Sequence, residues 1–255
     1  MTAFSWKKMI RGFDDRRDLL IPGDYDQTLD FCTRQFIQLA QEAIADKGFF
    51  TVALSGGSTP SALFKQLASP QNRDLVPWQN VRLFWSDERS VPPSDTASNY
   101  HMAMASGFSS LLLNPDNVFR MHAEDDIEQQ ALEYESLIKT YVPNHSFDLI
   151  MLGVGEDGHT ASLFPKTHAL HTQGRLVVAN FVPQINTWRM TFTYECINAG
   201  KVIVIYALGK NKAEILTKVL NSPYDPDNLP IQKVGTPEHK ALWVADTAAL
   251  PEYPT

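Results

Sequence analysis

Residues 50–60 read FTVALSGGSTP, an apolar and β-branched run that ends in two glycines. The run predicts a buried strand, and Thr59, followed by a proline, predicts the N-cap of a helix. A helix start presents free N–H groups, and glycines let a ligand approach the backbone closely. Gly56, Gly57 and Ser58 are therefore a candidate anion-binding loop. The loop matches neither the Walker pattern nor G-x-G-x-x-G, so it does not indicate ATP or NAD, and a plain tight connection is the alternative.

Apolar runs of this kind recur along the chain and alternate with helical patterns. Further strands are predicted at residues 81–86, 118–121, 147–153, 176–182, 202–208 and 241–245. Apolar side chains at steps of three and four predict helices at residues 29–43, 127–141 and 215–220. Several strands lack two-residue alternation, which is typical of strands buried on both faces of a parallel sheet. The pattern predicts an α/β fold with a mostly parallel sheet covered by helices, in one domain over residues 1–255.

The composition of the 255 residues excludes several classes of protein. Hydrophobic residues make up 44% and charged residues 20%, which argues against a disordered chain or a collagen-like fibre. A net charge of −7 disfavours nucleic acid and anionic membranes as partners, because both require a basic face. Two cysteines are too few for a disulfide framework, and Cys32 lies on an apolar helical stripe, which predicts a buried free thiol.

The N-terminal stretch MTAFSWKKMIRGFDD has no apolar core of roughly 7–15 residues and no cleavage site. We therefore expect no secretory signal. The sequence also contains no run of about 18 apolar residues, so we expect no membrane-spanning helix. These features favour a cytoplasmic protein.

A second loop, Asp87-Glu88-Arg89, follows the predicted strand at 81–86. Ligands of open parallel sheets lie beyond the carboxyl ends of the strands, so we expect this loop and the first one at the same ligand-binding edge. Arg89 can bind phosphate oxygens with two N–H groups, and Asp87 is a further candidate binding residue. The alternatives are an Asp–Arg ion pair that pins the loop, and a solvated acidic turn.

The loop at residues 153–165, GVGEDGHTASLFP, contains three glycines and a small-residue stretch that predicts a helix start. Asp157 lies two residues before His159, and a carboxylate beside a histidine orients the ring for general-base chemistry on water. A structural or simply exposed histidine is the alternative. No second histidine or cysteine lies at metal-ligand spacing, so we expect no metal site. A serine nucleophile has little support without G-x-S-x-G.

Two further segments place cations where a phosphate can be held. Arg189 lies in the segment 186–191, and Lys210 and Lys212 lie in the segment 209–214. Each of these cations, taken singly, is equally consistent with a solvated surface charge.

Taken together, SGGSTP (55–60), DERSVP (87–92), GVGEDGHTASLFP (153–165), RMT (189–191) and GKNK (209–212) resemble the 6-phosphogluconolactonase family in content and order. The resemblance extends from about Tyr25 to Asp246. It implies a Rossmann-like, three-layer α/β/α sandwich related to glucosamine-6-phosphate deaminase and ribose-5-phosphate isomerase. It also implies hydrolysis of 6-phospho-D-glucono-1,5-lactone to 6-phosphogluconate in the oxidative pentose phosphate pathway. The substrate is then a small sugar-phosphate lactone, with no metal or organic cofactor, and the enzyme a monomer or small homo-oligomer.

The resemblance also implies roles for individual residues. His159 resembles the base that activates water, and Asp157 supports it. The loop Gly56-Gly57-Ser58 resembles part of a phosphate site whose cations are Arg89, Arg189 and Lys212. Lys212 is favoured over Lys210 because the family pattern is Gly-x-x-Lys. The sequence leaves open which group stabilises the oxyanion.

Two other functions compete with this interpretation. Glucosamine-6-phosphate deaminases resemble this chain but carry a carboxylate five residues after the histidine, where this chain has Phe164. They also carry an aromatic residue after Asp-Glu, where this chain has Arg89. A non-catalytic sugar-phosphate sensor is the second alternative, and it normally accompanies a DNA-binding domain for which this chain has no spare basic segment.

Overall fold

The computed structural model describes residues 5–253 of the chain. Its α-helices are α1 (Tyr25–Lys47), α2 (Ser58–Leu67), α3 (Asn99–Ala105), α4 (Ile127–Tyr141), α5 (Tyr194–Asn198) and α6 (Ala213–Asn221). Its strands are β1 (Arg11–Gly12), β2 (Arg17–Leu20), β3 (Phe50–Leu54), β4 (Val81–Trp85), β5 (Asp87–Arg89), β6 (Leu149–Gly153), β7 (Val177–Val182), β8 (Thr187–Phe192), β9 (Ile203–Ala207) and β10 (Ala241–Ala245).

The main sheet has seven strands in the order β1-β2-β10-β9-β6-β3-β4, and every pairing except β1–β2 is parallel. The central strands are apolar on both faces: Val52 and Leu54 pack toward α1 and α2, whereas Ala53 packs toward α4 and α6. This arrangement confirms the mostly parallel sheet between two helical layers. Along the chain the strand order reverses between β3 and β6, and such a reversal opens a crevice at the carboxyl ends.

A second sheet of three antiparallel strands, in the order β5-β8-β7, was not predicted. Residues 87–89, interpreted as a loop, form β5, and most of the segment 186–191, for which no strand was predicted, lies in β8. The run predicted as a strand at 176–182 forms β7 in this antiparallel sheet. The pairing of β5 with β8 joins segments about a hundred residues apart, so neither segment shows it locally. The run at 118–121 forms only a single bridge, from Val118 to Leu83, so that predicted strand is wrong.

A buried carboxylate on α4 attaches the second sheet to the helical layer. Glu135 accepts hydrogen bonds from Lys139, from Arg175 and from the backbone N–H of Leu176. Burial acts to raise the pKa of Glu135, but these donors outweigh burial and lower its pKa to about 2. The carboxylate therefore stays ionised and holds the chain where it enters β7.

Both cysteines, Cys32 and Cys196, are free and buried, as predicted for Cys32. Burial raises the pKa of both thiols, which keeps them protonated and unreactive. Among residues 5–253, no helix has the length and apolar character that crossing a membrane requires.

Candidate active site

A cleft of about 560 Å³ opens at the carboxyl ends of β3, β6 and β9, where the strand order reverses. It brings together eight of the nine residues predicted for the site: Gly56, Gly57, Ser58, Asp87, Arg89, Asp157, His159 and Lys212. Arg189 does not line it. Two lining residues that the sequence did not single out as site residues are Asn99 and Tyr206.

The candidate anion-binding loop Gly56-Gly57-Ser58, here called the glycine loop, leads directly into α2, whose N-cap is Gly57 and not Thr59. The predicted cap is wrong because Gly57 adopts a φ of 107°, which lets the helix begin two residues earlier than expected. None of the described side chains caps this end, so the first backbone N–H groups are free to meet an anion. A Cβ at Gly56 would collide with the Asn99 amide, so this close packing requires glycine.

The acidic pair that follows β4 is buried, so the solvated-turn alternative is wrong. Asp87 accepts hydrogen bonds from Ser162 Oγ at 2.7 Å and from Asn99 Nδ2 at 3.2 Å. Glu88 accepts from the backbone N–H of Asn99 at 2.7 Å and of Tyr100 at 2.9 Å. Burial raises the pKa of Glu88, although these hydrogen bonds act to lower it. Glu88 thus anchors the start of α3, and the Asn99 side chain hydrogen-bonds Asp87 and packs against Gly56 of the glycine loop.

Two guanidinium groups lie side by side where β5 pairs with β8, because Arg89 is in register with Arg189. In the described part of the chain neither forms an ion pair with a carboxylate, so the alternative of an Asp–Arg ion pair that pins the loop is wrong. Arg89 donates instead to the carbonyl oxygen of Ala97. Burial, and then the charge of Arg89, lower the pKa of Arg189. This edge therefore carries positive charge that a bound anion would stabilise.

The lysine predicted from the Gly-x-x-Lys pattern is the one on the cleft. Lys212 is half-buried, and its Nζ donates to the Val154 carbonyl oxygen at 2.9 Å. An ammonium group has three donors, so two remain for a ligand. Lys210 lies two residues earlier in the same short turn, is exposed and does not line the cleft.

The histidine loop after β6 turns back on itself and does not enter a helix, so the helix predicted there is wrong. The backbone N–H of Gly155 donates to the His159 carbonyl oxygen at 2.9 Å, which closes the loop. A Cβ at Gly155 would collide with the imidazole ring, so glycine at 155 is needed for the ring to lie across the loop. On its other side, the ring stacks on Phe164 at 4.0 Å between ring centres.

Asp157 sets the orientation of the imidazole. Its Oδ1 lies 2.6 Å from His159 Nδ1 and also accepts the backbone N–H of His159 at 3.0 Å. Burial acts to raise the pKa of Asp157, but the hydrogen bond and charge of His159 outweigh it and lower the pKa. A carboxylate only accepts hydrogen bonds, so Nδ1 carries the proton, and in the neutral ring Nε2 keeps its lone pair. The ring therefore has a nitrogen at the cleft that can accept a proton.

One group with metal-ligand geometry occurs among the described residues, away from the cleft. One ligand atom each from His122, Glu124 and Asp125 lies within 4.8 Å of the others. Arg120 already contacts two of them, with its guanidinium 2.7 Å from Glu124 Oε1 and 3.0 Å from His122 Nδ1. The guanidinium therefore supplies the positive charge in this group.

Comparisons with known proteins agree with this geometry. The family described as glucosamine-6-phosphate isomerases/6-phosphogluconolactonase matches residues 23–243. A 6-phosphogluconolactonase of Chlamydia trachomatis is 39% identical over 231 residues, covering 91% of this chain and 88% of the relative.

Solved structures share the fold. The crystal structure of a devB protein matches with a TM-score of 0.85 and 31% identity, over 93% of this chain and 100% of that one. A monomeric glucosamine-6-phosphate deaminase matches with a TM-score of 0.73 at 21% identity, over 92% and 99% of the two chains, which shows a common fold. The predicted relation to the deaminase fold is thereby confirmed. This chain belongs to the glucosamine-6-phosphate isomerase/6-phosphogluconolactonase family.

Proposed function

We propose that this chain is a 6-phosphogluconolactonase, which hydrolyses 6-phospho-D-glucono-1,5-lactone to 6-phospho-D-gluconate in the oxidative pentose phosphate pathway. The observation that carries the proposal is the oriented pair of Asp157 and His159, which shares its cleft with a helix start that has no side-chain cap and with Arg89 and Lys212. Within residues 5–253 neither cation forms an ion pair with a carboxylate. The relatives of the same name support it. The reaction as proposed needs neither a metal nor an organic cofactor.

In the proposed mechanism, His159 Nε2 takes a proton from a water molecule as the water oxygen attacks the lactone carbonyl carbon. The carbonyl oxygen becomes an oxyanion, and hydrogen-bond donors on the cleft stabilise it. The intermediate then collapses, the bond to the ring oxygen breaks, and the imidazolium returns its proton to that oxygen. Asp157 holds the ring and stabilises its positive charge during the two steps.

We propose that the other part of the cleft holds the phosphate group. Free N–H groups at the start of α2 and the side chains of Arg89 and Lys212 supply its donors, and binding there orients the distant carbonyl. Arg189 lies beside Arg89 but off the cleft, so its proposed part is to add positive charge behind Arg89. Asp87 is proposed to accept hydrogen bonds from sugar hydroxyl groups.

Deaminase chemistry is the main competing function, and the stacking of His159 on Phe164 argues against it. The aromatic ring at 164 occupies the position at which the resembling deaminases have a carboxylate, so the acid for sugar-ring opening is missing. Purified protein should accelerate hydrolysis of fresh 6-phosphogluconolactone well above the spontaneous rate, and release no ammonia from glucosamine 6-phosphate. Ammonia release would favour the deaminase. Binding of 6-phosphogluconate without any acceleration would favour a sensor and overturn the proposal.

The two lysines of the segment 209–214 provide a matched test of the phosphate site. Lys212→Met is expected to raise the KM for the phosphorylated lactone by roughly 10–150-fold, the range for losing one charge-assisted contact. Lys210→Met removes the same charge two residues away and is expected to leave KM unchanged. Steady-state kinetics with spontaneous hydrolysis subtracted measure both. Equal effects of the two substitutions would assign the role to general surface charge.

We further propose that residues 1–255 form one domain that works in the cytoplasm as a monomer or small homo-oligomer. The main sheet supports the single domain, because it contains strands from both ends of the described chain, β1 and β10. The net charge of −7 supports the absence of a nucleic-acid partner.

A further inference from the structure

The hydroxyl group of Tyr206 is a buried polar atom without a partner. Its residue is 2% exposed, and the oxygen makes no hydrogen bond to any described part of the chain. Buried hydroxyl groups are almost always hydrogen-bonded, because a buried hydroxyl without a partner loses the hydrogen bond that water makes to it in the unfolded chain. Several other buried polar atoms in residues 5–253 also lack a partner, but among them only the Tyr206 hydroxyl belongs to a residue that lines the cleft.

The position of Tyr206 in β9 places its side chain on the sheet face that α1 and α2 cover, at the cleft. Its Cα is in register with Gly153 at the end of β6, the strand that leads into the histidine loop. Side chains alternate along a strand, and Val204 and Tyr206 pack on the face covered by α1 and α2. Helix α2 packs against β9, and its first turn lines the cleft together with Tyr206.

We propose that Tyr206 is a further substrate-binding residue, whose hydroxyl group donates a hydrogen bond to the phosphate group held at the start of α2. This proposal rests on the proposed function. The hydroxyl is nearly closed off from solvent in this structure, so the contact requires a small shift of the loop. Gly56 and Gly57 allow such a shift because glycine tolerates a wide range of backbone angles. Burial raises the pKa of Tyr206 well above its ordinary value, so the group keeps its proton and remains a donor.

A ligand-binding role and a structural role of the Tyr206 hydroxyl predict different effects on protein stability when the hydroxyl is removed. A hydroxyl that packs the core would have a partner in the protein, and its removal would lower Tm. A hydroxyl that waits for a ligand is an unpaired group in the unliganded protein, so its removal should leave Tm unchanged or raise it.

Tyr206→Phe is the variant that tests the proposal, because it removes only the oxygen. We expect a roughly 10-fold increase in the KM for 6-phosphogluconolactone and in the Kd for 6-phosphogluconate, with kcat within about twofold of the wild-type value. Calorimetric titration gives the Kd, and inorganic phosphate as a second titrant should lose affinity in parallel. Hydrolysis of unphosphorylated glucono-1,5-lactone should not change.

Tyr194→Phe is the matched control. Its hydroxyl donates to the Pro230 carbonyl oxygen at 2.7 Å away from the cleft, so its loss should lower Tm and leave KM and Kd unchanged. The proposal is overturned if Tyr206→Phe keeps wild-type affinity for 6-phosphogluconate and phosphate, or if it impairs both lactones equally. Either result leaves lactone hydrolysis by the wild-type chain intact. Failure of the proposed function itself would instead be seen in the wild-type chain, as absence of that hydrolysis.

Discussion

His159→Ala is expected to lower kcat for lactone hydrolysis by roughly 10²–10⁴-fold, the usual contribution of a general base. The substitution removes the nitrogen that takes the proton of water, but it leaves the glycine loop and Lys212 in place. KM and the Kd of 6-phosphogluconate should therefore stay close to their wild-type values. Lactones hydrolyse unaided, so the measurement is the initial rate after subtraction of the spontaneous reaction at the same pH.

His171→Ala is the control for this substitution, because His171 is exposed and does not line the cleft. It should keep the wild-type kcat. If His159→Ala also keeps it, the base lies elsewhere, and Asp157 and Asp87 become the first candidates.

The pH dependence of kcat provides an independent check. The imidazolium form has no lone pair, so the rate should fall as the ring of His159 gains a proton. The pKa of Asp157 is lowered from its ordinary value of 3.8, so its carboxylate form is kept above that pH and is lost only in stronger acid. A fall in rate that begins well above pH 4 is therefore not caused by protonation of Asp157. The low-pH fall should disappear in His159→Ala.

The second large effect concerns the phosphate group of the substrate. The kcat/KM for unphosphorylated glucono-1,5-lactone is expected to be on the order of 10⁴-fold lower than that for the 6-phospho compound. A site that binds a polar group through several charge-assisted contacts rejects an analogue without that group by about this factor, because the partners of the group lose contacts worth roughly 1.5–3 kcal/mol each. Here those partners are the N–H groups at the start of α2, Arg89 and Lys212, none of which has a carboxylate partner among the described residues.

Lys212→Met sharpens this comparison when both lactones are assayed with both proteins. The substitution should reduce kcat/KM for the phosphorylated lactone and leave the value for the unphosphorylated lactone unchanged, so the preference itself should shrink. Equal kcat/KM values for the two lactones in the wild-type chain would refute a phosphate site in this cleft.

Much of the site could be predicted because the residues that form it are grouped in short segments after strands. The runs at 50–55 and 147–153 are mainly apolar and lack two-residue alternation, which is typical of strands buried on both faces. The structure confirms strands there, at Phe50–Leu54 and Leu149–Gly153. Carboxyl ends of neighbouring parallel strands meet at one edge, so the glycine loop and His159 could be expected on one cleft. Asp157 and His159 are two residues apart, so their contact is also a local property.

Local patterns failed where backbone angles or distant pairings decide the structure. Thr59 has the right chemistry for an N-cap, but the positive φ of Gly57 starts α2 earlier. The small residues that follow His159 suggested a helix, but the loop closes through Gly155 and continues without one. Both outcomes depend on angles that the residue types permit but do not specify.

Local sequence patterns were enough to predict the α/β class, the main parallel sheet and the segments that form the cleft, because buried strands and short motifs are encoded by neighbouring residues. Local patterns could not predict which of the two arginines lines the cleft, because the long-range pairing of β5 with β8 sets Arg89 beside Arg189 and only Arg89 lines the cleft. The environment of the Tyr206 hydroxyl could not be predicted either, because in the sequence Tyr206 is one more residue of an apolar strand. Whether a buried hydroxyl group has a hydrogen-bond partner depends on atoms from distant parts of the chain, and in residues 5–253 none of them hydrogen-bonds the Tyr206 hydroxyl.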